Sequence, residues 1–402
     1  MSKNINLKNS IRPRYFKKNL LSKDKIRLNK IINNIFTSLD YKKDALHLFS
    51  KKFNFNFNYS KLVKFDKYKT IILIGMGGSS LGAQAMHSFC NDKIKKDFIF
   101  FDNLDQQKID RIRKIDLKKT LFIIISKSGN TLETLINSNL FRDKITNKNT
   151  IIITEKKNNI LNTFAKHKKI LHINHKDYIG GRYSILSEVG MVPAYFMGLK
   201  TNHFRRNLLN IFKSKKKARL LNNIIKLSHI YRFKKINSII LLNYVPEVND
   251  FLYWSQQLIA ESLGKKGKGL LPVVSEAPKD HHSLMQLYLD GPKDKLFYIF
   301  SLKLNKKKKT NKNIFGKNFS YAENKNLSRI KEAQKNALIQ TLKDNKIPYQ
   351  EIIINKKNEE TLGELFSYFM METVLVGKLI GINPFDQPAV EKVKILTKQY
   401  LA

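Results

Sequence analysis

Apolar runs of strand length recur through the middle of the chain, and each gives way to a turn and then to helical spacing. Thr70–Ile74, Phe98–Phe101, Leu121–Ile125 and Thr150–Ile153 form one series. Ser238–Leu242, Leu296–Ser301 and Glu351–Ile354 form a second, after a Lys-rich helical stretch from Phe212 to Phe233. Short runs without polar alternation suit strands buried on both faces, and intervening helices suit parallel connections. The pattern predicts an α/β fold of mostly parallel sheets flanked by helices, the same architecture used twice.

The boundaries expected are 1–60, a helical N-terminal extension carrying Ile31, Ile32, Ile35 and Leu39; 61–200, the first α/β domain; 201–360, the second; and 361–402, C-terminal helices. Phe53, Phe55 and Phe57 alternate with Asn and suit an exposed strand or loop. Asn305 to Asn318, with its Lys306–Lys309 run, reads as a surface loop. Leu365 to Ile382 is the longest mostly apolar stretch, but Glu372 and Lys378 interrupt it. A buried amphipathic helix fits it better than a membrane span.

Composition changes this picture little. The 402 residues carry a formal net charge of +43, which raises nucleic-acid binding as a reading. Only 12 of the 75 basic residues are Arg, and the Lys is spread along the chain. Clustered Arg or an aromatic–basic stripe would be needed for that function, so a solvated Lys surface is expected, with no nucleic-acid partner. The single cysteine, Cys90, excludes an intrachain disulfide and suits a reducing cytosol. No apolar segment marks a secretory signal near the N-terminus, so a cytoplasmic location without membrane attachment is expected.

The turns carry the chemistry. Ser126-Lys127-Ser128-Gly129-Asn130-Thr131 gathers three hydroxyl residues where a strand stops and a helix begins. Such a turn can hold a phosphate on its N–H groups and hydroxyls, or it can be a helix cap with Ser128, Thr131 and Glu133 as a capping box. Gly75-Met-Gly-Gly-Ser-Ser-Leu-Gly82 has a similar position. Its spacing misses the dinucleotide fingerprint, and Asp102 keeps a nicotinamide reading only as an alternative. Both turns belong at carboxyl ends of strands, where ligands of open α/β sheets gather, so they can share one phosphate.

Four further segments contain candidate groups. Arg182 follows Gly180-Gly181 and suits either a developing negative charge or a structural carboxylate. Glu261 lies late in an apolar helix from Asp250 to Leu263, as a raised-pKa base or a snorkelling carboxylate. His281 and His282 are adjacent, so they diverge and do not share a metal; one of them suits acid–base work. Asn383 to Lys394 leads into a final helix.

In order and sequence, these segments resemble the glucose-6-phosphate isomerase (phosphoglucose isomerase) family. Gly180-Gly-Arg-Tyr-Ser-Ile-Leu-Ser-Glu-Val-Gly190 is close to one family signature, and Pro384-Phe-Asp-Gln-Pro-Ala-Val-Glu-Lys-Val-Lys394 to the other. The resemblance runs from about residue 65 to the C-terminus. It implies two sugar-isomerase domains, the first binding phosphate, with the C-terminal helices completing the active site.

The implied reaction interconverts D-glucose 6-phosphate and D-fructose 6-phosphate, in glycolysis and gluconeogenesis, by ring opening and proton transfer through a cis-enediol. Ser79, Ser126, Lys127, Ser128 and Thr131 match the phosphate pocket; Gly78 and Gln387 match further substrate contacts. Glu261 matches the base, Arg182 the group that stabilises the enediolate, and His282 and Lys394 the ring-opening groups. The resemblance further implies a homodimer in which His282 enters the partner's site, with no cofactor and no metal. A glucose/mannose-6-phosphate isomerase and a non-catalytic sugar-phosphate-binding regulator are the alternatives. Two departures stand out: Asn130 where the family usually has Thr, and Ala389 where it commonly has Gly.

Overall fold

The computed structural model describes residues 4–213, 217–303 and 313–402. Among them, ten strands form two five-stranded sheets. They are β1 (Ile5–Ser10), β2 (Thr70–Ile74), β3 (Asp97–Phe101), β4 (Thr120–Ile125), β5 (Thr150–Thr154), β6 (Leu171–Asn174), β7 (Ser238–Asn243), β8 (Leu271–Glu276), β9 (Lys295–Leu302) and β10 (Tyr349–Ile354).

The first sheet has the order β3-β2-β4-β5-β6 and is parallel throughout. The second runs β8-β7-β9-β10-β1; its first four strands are parallel and β1 is antiparallel to β10. From β8 to β10 the second sheet repeats the order of the first from β3 to β5. The architecture is used twice, with the fifth strand supplied from the opposite end of the chain.

Alternation across the strands explains why the runs are apolar without a break. In β4, Ile123 and Ile125 enter the large core shared by the two sheets, while Phe122 and Ile124 face a second core under the outer helices. In β9, Tyr298 and Phe300 face the shared core, and Phe297 and Ile299 a third. A central parallel strand has no solvent face to leave polar.

Several expectations are corrected. The N-terminal segment is not helical throughout. The helix Leu21–Ser38 forms on buried Leu28, Ile32 and Ile35, but β1 precedes it and closes the edge of the second sheet. Phe53, Phe55 and Phe57 form neither a strand nor an exposed loop. Phe53 is buried, Phe55 and Phe57 are half-buried, and successive rings meet at 5.7 and 5.2 Å. The Arg205 guanidinium covers Phe53 at 4.7 Å.

The helix Glu359–Leu379 is buried on nearly every face instead of being amphipathic. Its Glu372 accepts hydrogen bonds from Tyr368 and from Tyr298 (2.9 Å), and burial pushes its pKa up. Among the described residues no helix is long and apolar enough to cross a membrane. The Lys306–Lys309 run falls outside the described residues.

Candidate active site

In the first sheet the chain leaves β2 towards β3 on one side, then returns through β4 on the other. Two turns therefore emerge side by side at this switch point, the default ligand position of an open α/β sheet. After β2 comes Gly75–Ser80; after β4 comes Ser126–Thr131. They adjoin: a Cβ at Gly75 would stand 3.0 Å from both Ile125 O and Ser79 Cβ.

The Ser126 turn is organised by its own side chains. Ser126 Oγ lies 2.8 Å from Thr131 Oγ1 and accepts from Gly129 N at 3.2 Å. Ser128 Oγ accepts from Asn130 N at 3.3 Å. Gly129 has φ +67°, and a Cβ there would fall 1.8 Å from Asn159 Oδ1, so only glycine fits. Thr131 takes the N-cap position of the helix Leu132–Asn139 but makes no side-chain cap bond. The capping box does not form. The Thr131 hydroxyl goes to Ser126, and the helix N-terminus keeps its anion-binding character.

Lys127, expected at the phosphate, donates instead to Asp177 O at 2.6 Å and lies 3.6 Å from Glu155; burial draws its pKa down. Asn130 Oδ1 accepts from Ile160 N at 3.0 Å, a bond that ties the turn to the next helix. Ala389 occupies a 3-10 turn, Pro388–Val390, a right-handed conformation that alanine adopts freely.

The second cluster is assembled from distant segments. Gly78 is buried because the turn presses on Gly181 and Arg182: a Cβ would lie 2.3 Å from Gly181 C and 2.6 Å from Arg182 N. Trp254 Nε1 donates to Arg182 O at 3.1 Å. The Arg182 side chain, 2% exposed, uses all five guanidinium donors. Nε donates to Ser262 Oγ (2.8 Å), and Nη2 to Pro384 O (2.7 Å) and Asp386 O (3.0 Å). Nη1 donates to Glu261 Oε2 (3.1 Å) and Gln387 Oε1 (2.8 Å).

The guanidinium therefore divides its donors between two sets of acceptors. Nε and Nη2 staple the C-terminal segment to the helix Asn249–Leu263. Nη1 faces the half-exposed Glu261 and the exposed Gln387, which can exchange for a substrate oxygen.

Glu261 is neither a core carboxylate nor a free surface one. Its second oxygen, Oε1, accepts from Gln257 Nε2 at 2.8 Å. A Cβ at Gly77, where φ is +52°, would fall 2.8 Å from the same Gln257 nitrogen. The glycine turn, Gln257 and Glu261 thus share one surface. Gln257, Ser262, Tyr183 and Trp254 were not singled out from the sequence. Gln257 was findable, since it stands one helical turn before Glu261 on the same face. Tyr183, whose OH donates to Pro384 O (3.0 Å), and Ser262 carry no such signal.

His282 and Lys394 are not part of this cluster among the described residues. His282 is exposed just after the 3-10 turn Lys279–His281, whereas its neighbour His281 meets the Tyr244 OH at 2.7 Å. Lys394 is exposed on the helix Glu391–Leu401, 3.2 Å from Glu391. Among the described residues no group of three or more His, Cys, Asp or Glu could hold a metal ion.

Two switch-point sheets back to back, with a hydroxyl turn beside an Arg–Glu pair, define a protein of the sugar-isomerase class. The crystal structure of a hypothetical protein from Thermus thermophilus matches 98% of this chain and 100% of its own, with TM-score 0.83 and 24% identity. That of a glucose-6-phosphate isomerase from Chlamydia trachomatis matches 100% and 89%, with TM-score 0.78 and 18% identity. These likenesses establish the fold.

The sequence goes further. The phosphoglucose isomerase family profile matches residues 32–402. The probable glucose-6-phosphate isomerase of Methanococcus maripaludis is 34% identical over 388 residues, covering 92% of this chain and 85% of that protein. The chain belongs to the phosphoglucose isomerase family.

Proposed function

We propose that the chain interconverts D-glucose 6-phosphate and D-fructose 6-phosphate as a cytoplasmic enzyme of glycolysis and gluconeogenesis. The observation that carries this reading is the 3.1 Å contact of Arg182 with Glu261 beside the glycine turn. Ser79, Ser126, Ser128 and Thr131 hold the phosphate, with the N-terminus of the helix Leu132–Asn139 behind them. The hydroxyls and backbone N–H groups orient the sugar without entering the chemistry.

Glu261 takes the C2 proton of the opened aldose, and the electron pair moves onto the carbonyl oxygen. Arg182 Nη1 stabilises that oxyanion, exchanging its bond to Glu261 or Gln387 for one to the substrate. A proton passes from O2 to O1 across the cis-enediol, and Glu261 then returns its proton to C1 as the C2 carbonyl forms, giving the ketose. A positioned carboxylate and a buried cation address the two costs of this step: the weak acidity of the carbon and the charge that develops. Gln257 orients the carboxylate through Oε1.

His282 and Lys394 open and close the sugar ring. Their exposure in the single chain supports a homodimer in which His282 completes the partner's site. The apolar side chains of the Lys394 helix, including Val393 (66% exposed) and Tyr400 (86%), support further burial against that second copy. The two sheets support the reading of two sugar-isomerase domains, with β1 of the N-terminal segment joining the second.

The test is a coupled isomerase assay with fructose 6-phosphate on Glu261→Gln and His282→Ala proteins, alone and after subunit exchange. Each variant alone should be nearly inactive. Their mixture should regain roughly a quarter of wild-type activity, since half the dimers are mixed and hold one intact site of two. No recovery despite demonstrated exchange excludes a shared site, and no turnover by the wild type excludes the reaction.

A further inference from the structure

The second sheet has its own switch point. The chain leaves β7 towards β8 on one side and returns through β9 on the other. A cavity of about 750 Å³ opens there, between the segment after β7, the carboxyl end of β9 and the helix Leu327–Asp344. It corresponds, in the repeated architecture, to the place where the first sheet carries its hydroxyl turns. It is separate from the Arg182–Glu261 cluster. The helix Asn249–Leu263 begins near its rim and carries Glu261 about 18 Å further along its axis, at ~1.5 Å per residue.

The lining is built for an anion. Ser301, in β9, is 6% exposed, and its hydroxyl has no hydrogen-bond partner although it lines the cavity. An unanswered buried hydroxyl has a cost that a ligand oxygen removes. Lys303 and Lys331 line the same space and have no carboxylate partner among the described residues.

The other lining charges each have a partner. Lys335 and Lys8 share Glu351, at 2.6 and 3.4 Å. Glu247 is answered by Lys357 at 3.4 Å and Glu332 by Arg329 at 2.9 Å. The lysines left without a carboxylate among the described residues are therefore Lys303 and Lys331, and Ser328, in the first turn of the helix Leu327–Asp344, adds a hydroxyl and the positive end of the helix dipole. The volume is that of a small-metabolite site.

We infer that this cavity is a second ligand site, for a small phosphorylated metabolite whose phosphate is held by Ser301, Ser328 and Lys331. It does not depend on the reaction assigned to the first site. The two sheets would then each use the switch point for a phosphate, one with hydroxyls and a helix end, the other with hydroxyls and lysine.

The test is an NMR titration of the full-length protein with inorganic phosphate at about 0.15 M salt, which screens the exposed lysines. The starting protein carries Ser126→Ala to weaken the first site. Saturable shifts of the Ser301, Leu302 and Ser328 amides are expected. Lys331→Glu should weaken that binding at least tenfold and Ser301→Ala several-fold, with thermal stability retained. Absence of saturable shifts at these amides, or unchanged affinity in a folded Lys331→Glu protein, overturns the inference.

Discussion

The two halves of the proposed active site are built in opposite ways. The phosphate turn, Ser126–Thr131, closes on itself: the bonds from Ser126 to Gly129 and Thr131 span three and five residues. The Arg182 cluster is drawn from four segments, and its bonds to Glu261 and Gln387 span 79 and 205 residues. The turn's outward bonds, Lys127 to Asp177 O and Ile160 N to Asn130, stay within the segments around the first sheet. A long-range cluster exists only while both sheets and the C-terminal segment are packed together, so its geometry is tied to global folding.

The sharpest way to break this comparison is Arg182→Lys. A lysine cannot serve five acceptors at once. Turnover should fall about 10²–10³-fold, the cost of losing a preorganised oxyanion donor. Hydrogen exchange should rise at the Phe385, Asp386 and Gln387 amides and stay unchanged at Gly129–Thr131. Equal loosening of both regions would mean that they are not independent.

A smaller effect is expected for Ser126→Ala combined with Thr131→Val. Removing two hydroxyls from a local turn should raise KM about 10–100-fold, at ~1.4 kcal/mol per factor of ten, with kcat less affected. A loss confined to kcat would contradict the division of labour between the turn and the cluster. The mildest is Gln257→Ala, which frees Glu261 Oε1 without touching Arg182. About a ten- to thirtyfold loss of kcat with unchanged KM is expected, since one hydrogen bond to a carboxylate contributes ~1.5–2 kcal/mol.

The same contrast explains what was legible in the sequence. Strands β2, β4, β5, β7 and β9 are apolar on both faces and stand out as runs, as does the Ile352–Ile354 end of β10. β1 reads Ile-Asn-Leu-Lys-Asn-Ser, too polar to announce itself, because an edge strand leaves half its surface to other partners. β6 and β8 were missed for the same reason. The Ser126 turn was readable as a site because its parts are neighbours in sequence.

The five bonds of Arg182 were not, since backbone carbonyls such as Pro384 O have no sequence signature. Nor was the engagement of Lys127 with Asp177 and Glu155, which depends on where β5 and the segment after β6 come to rest. Lys394, and the choice of His282 over His281, rested on resemblance alone, and the single chain leaves both Lys394 and His282 on its surface.

The central claim is that Glu261 carries the proton between C2 and C1 while the rest of the cluster holds the sugar and its charge. The most direct measurement is NMR of fructose 6-phosphate incubated in D₂O with wild-type or Glu261→Gln protein, alongside hexose phosphate binding by titration. The wild type should isomerise the sugar and introduce deuterium at the transferred position. The variant should do neither, with turnover down at least ~10³-fold, while its hexose 6-phosphate Kd stays within about threefold. Isomerisation or deuterium incorporation by Glu261→Gln at the wild-type rate would contradict the account.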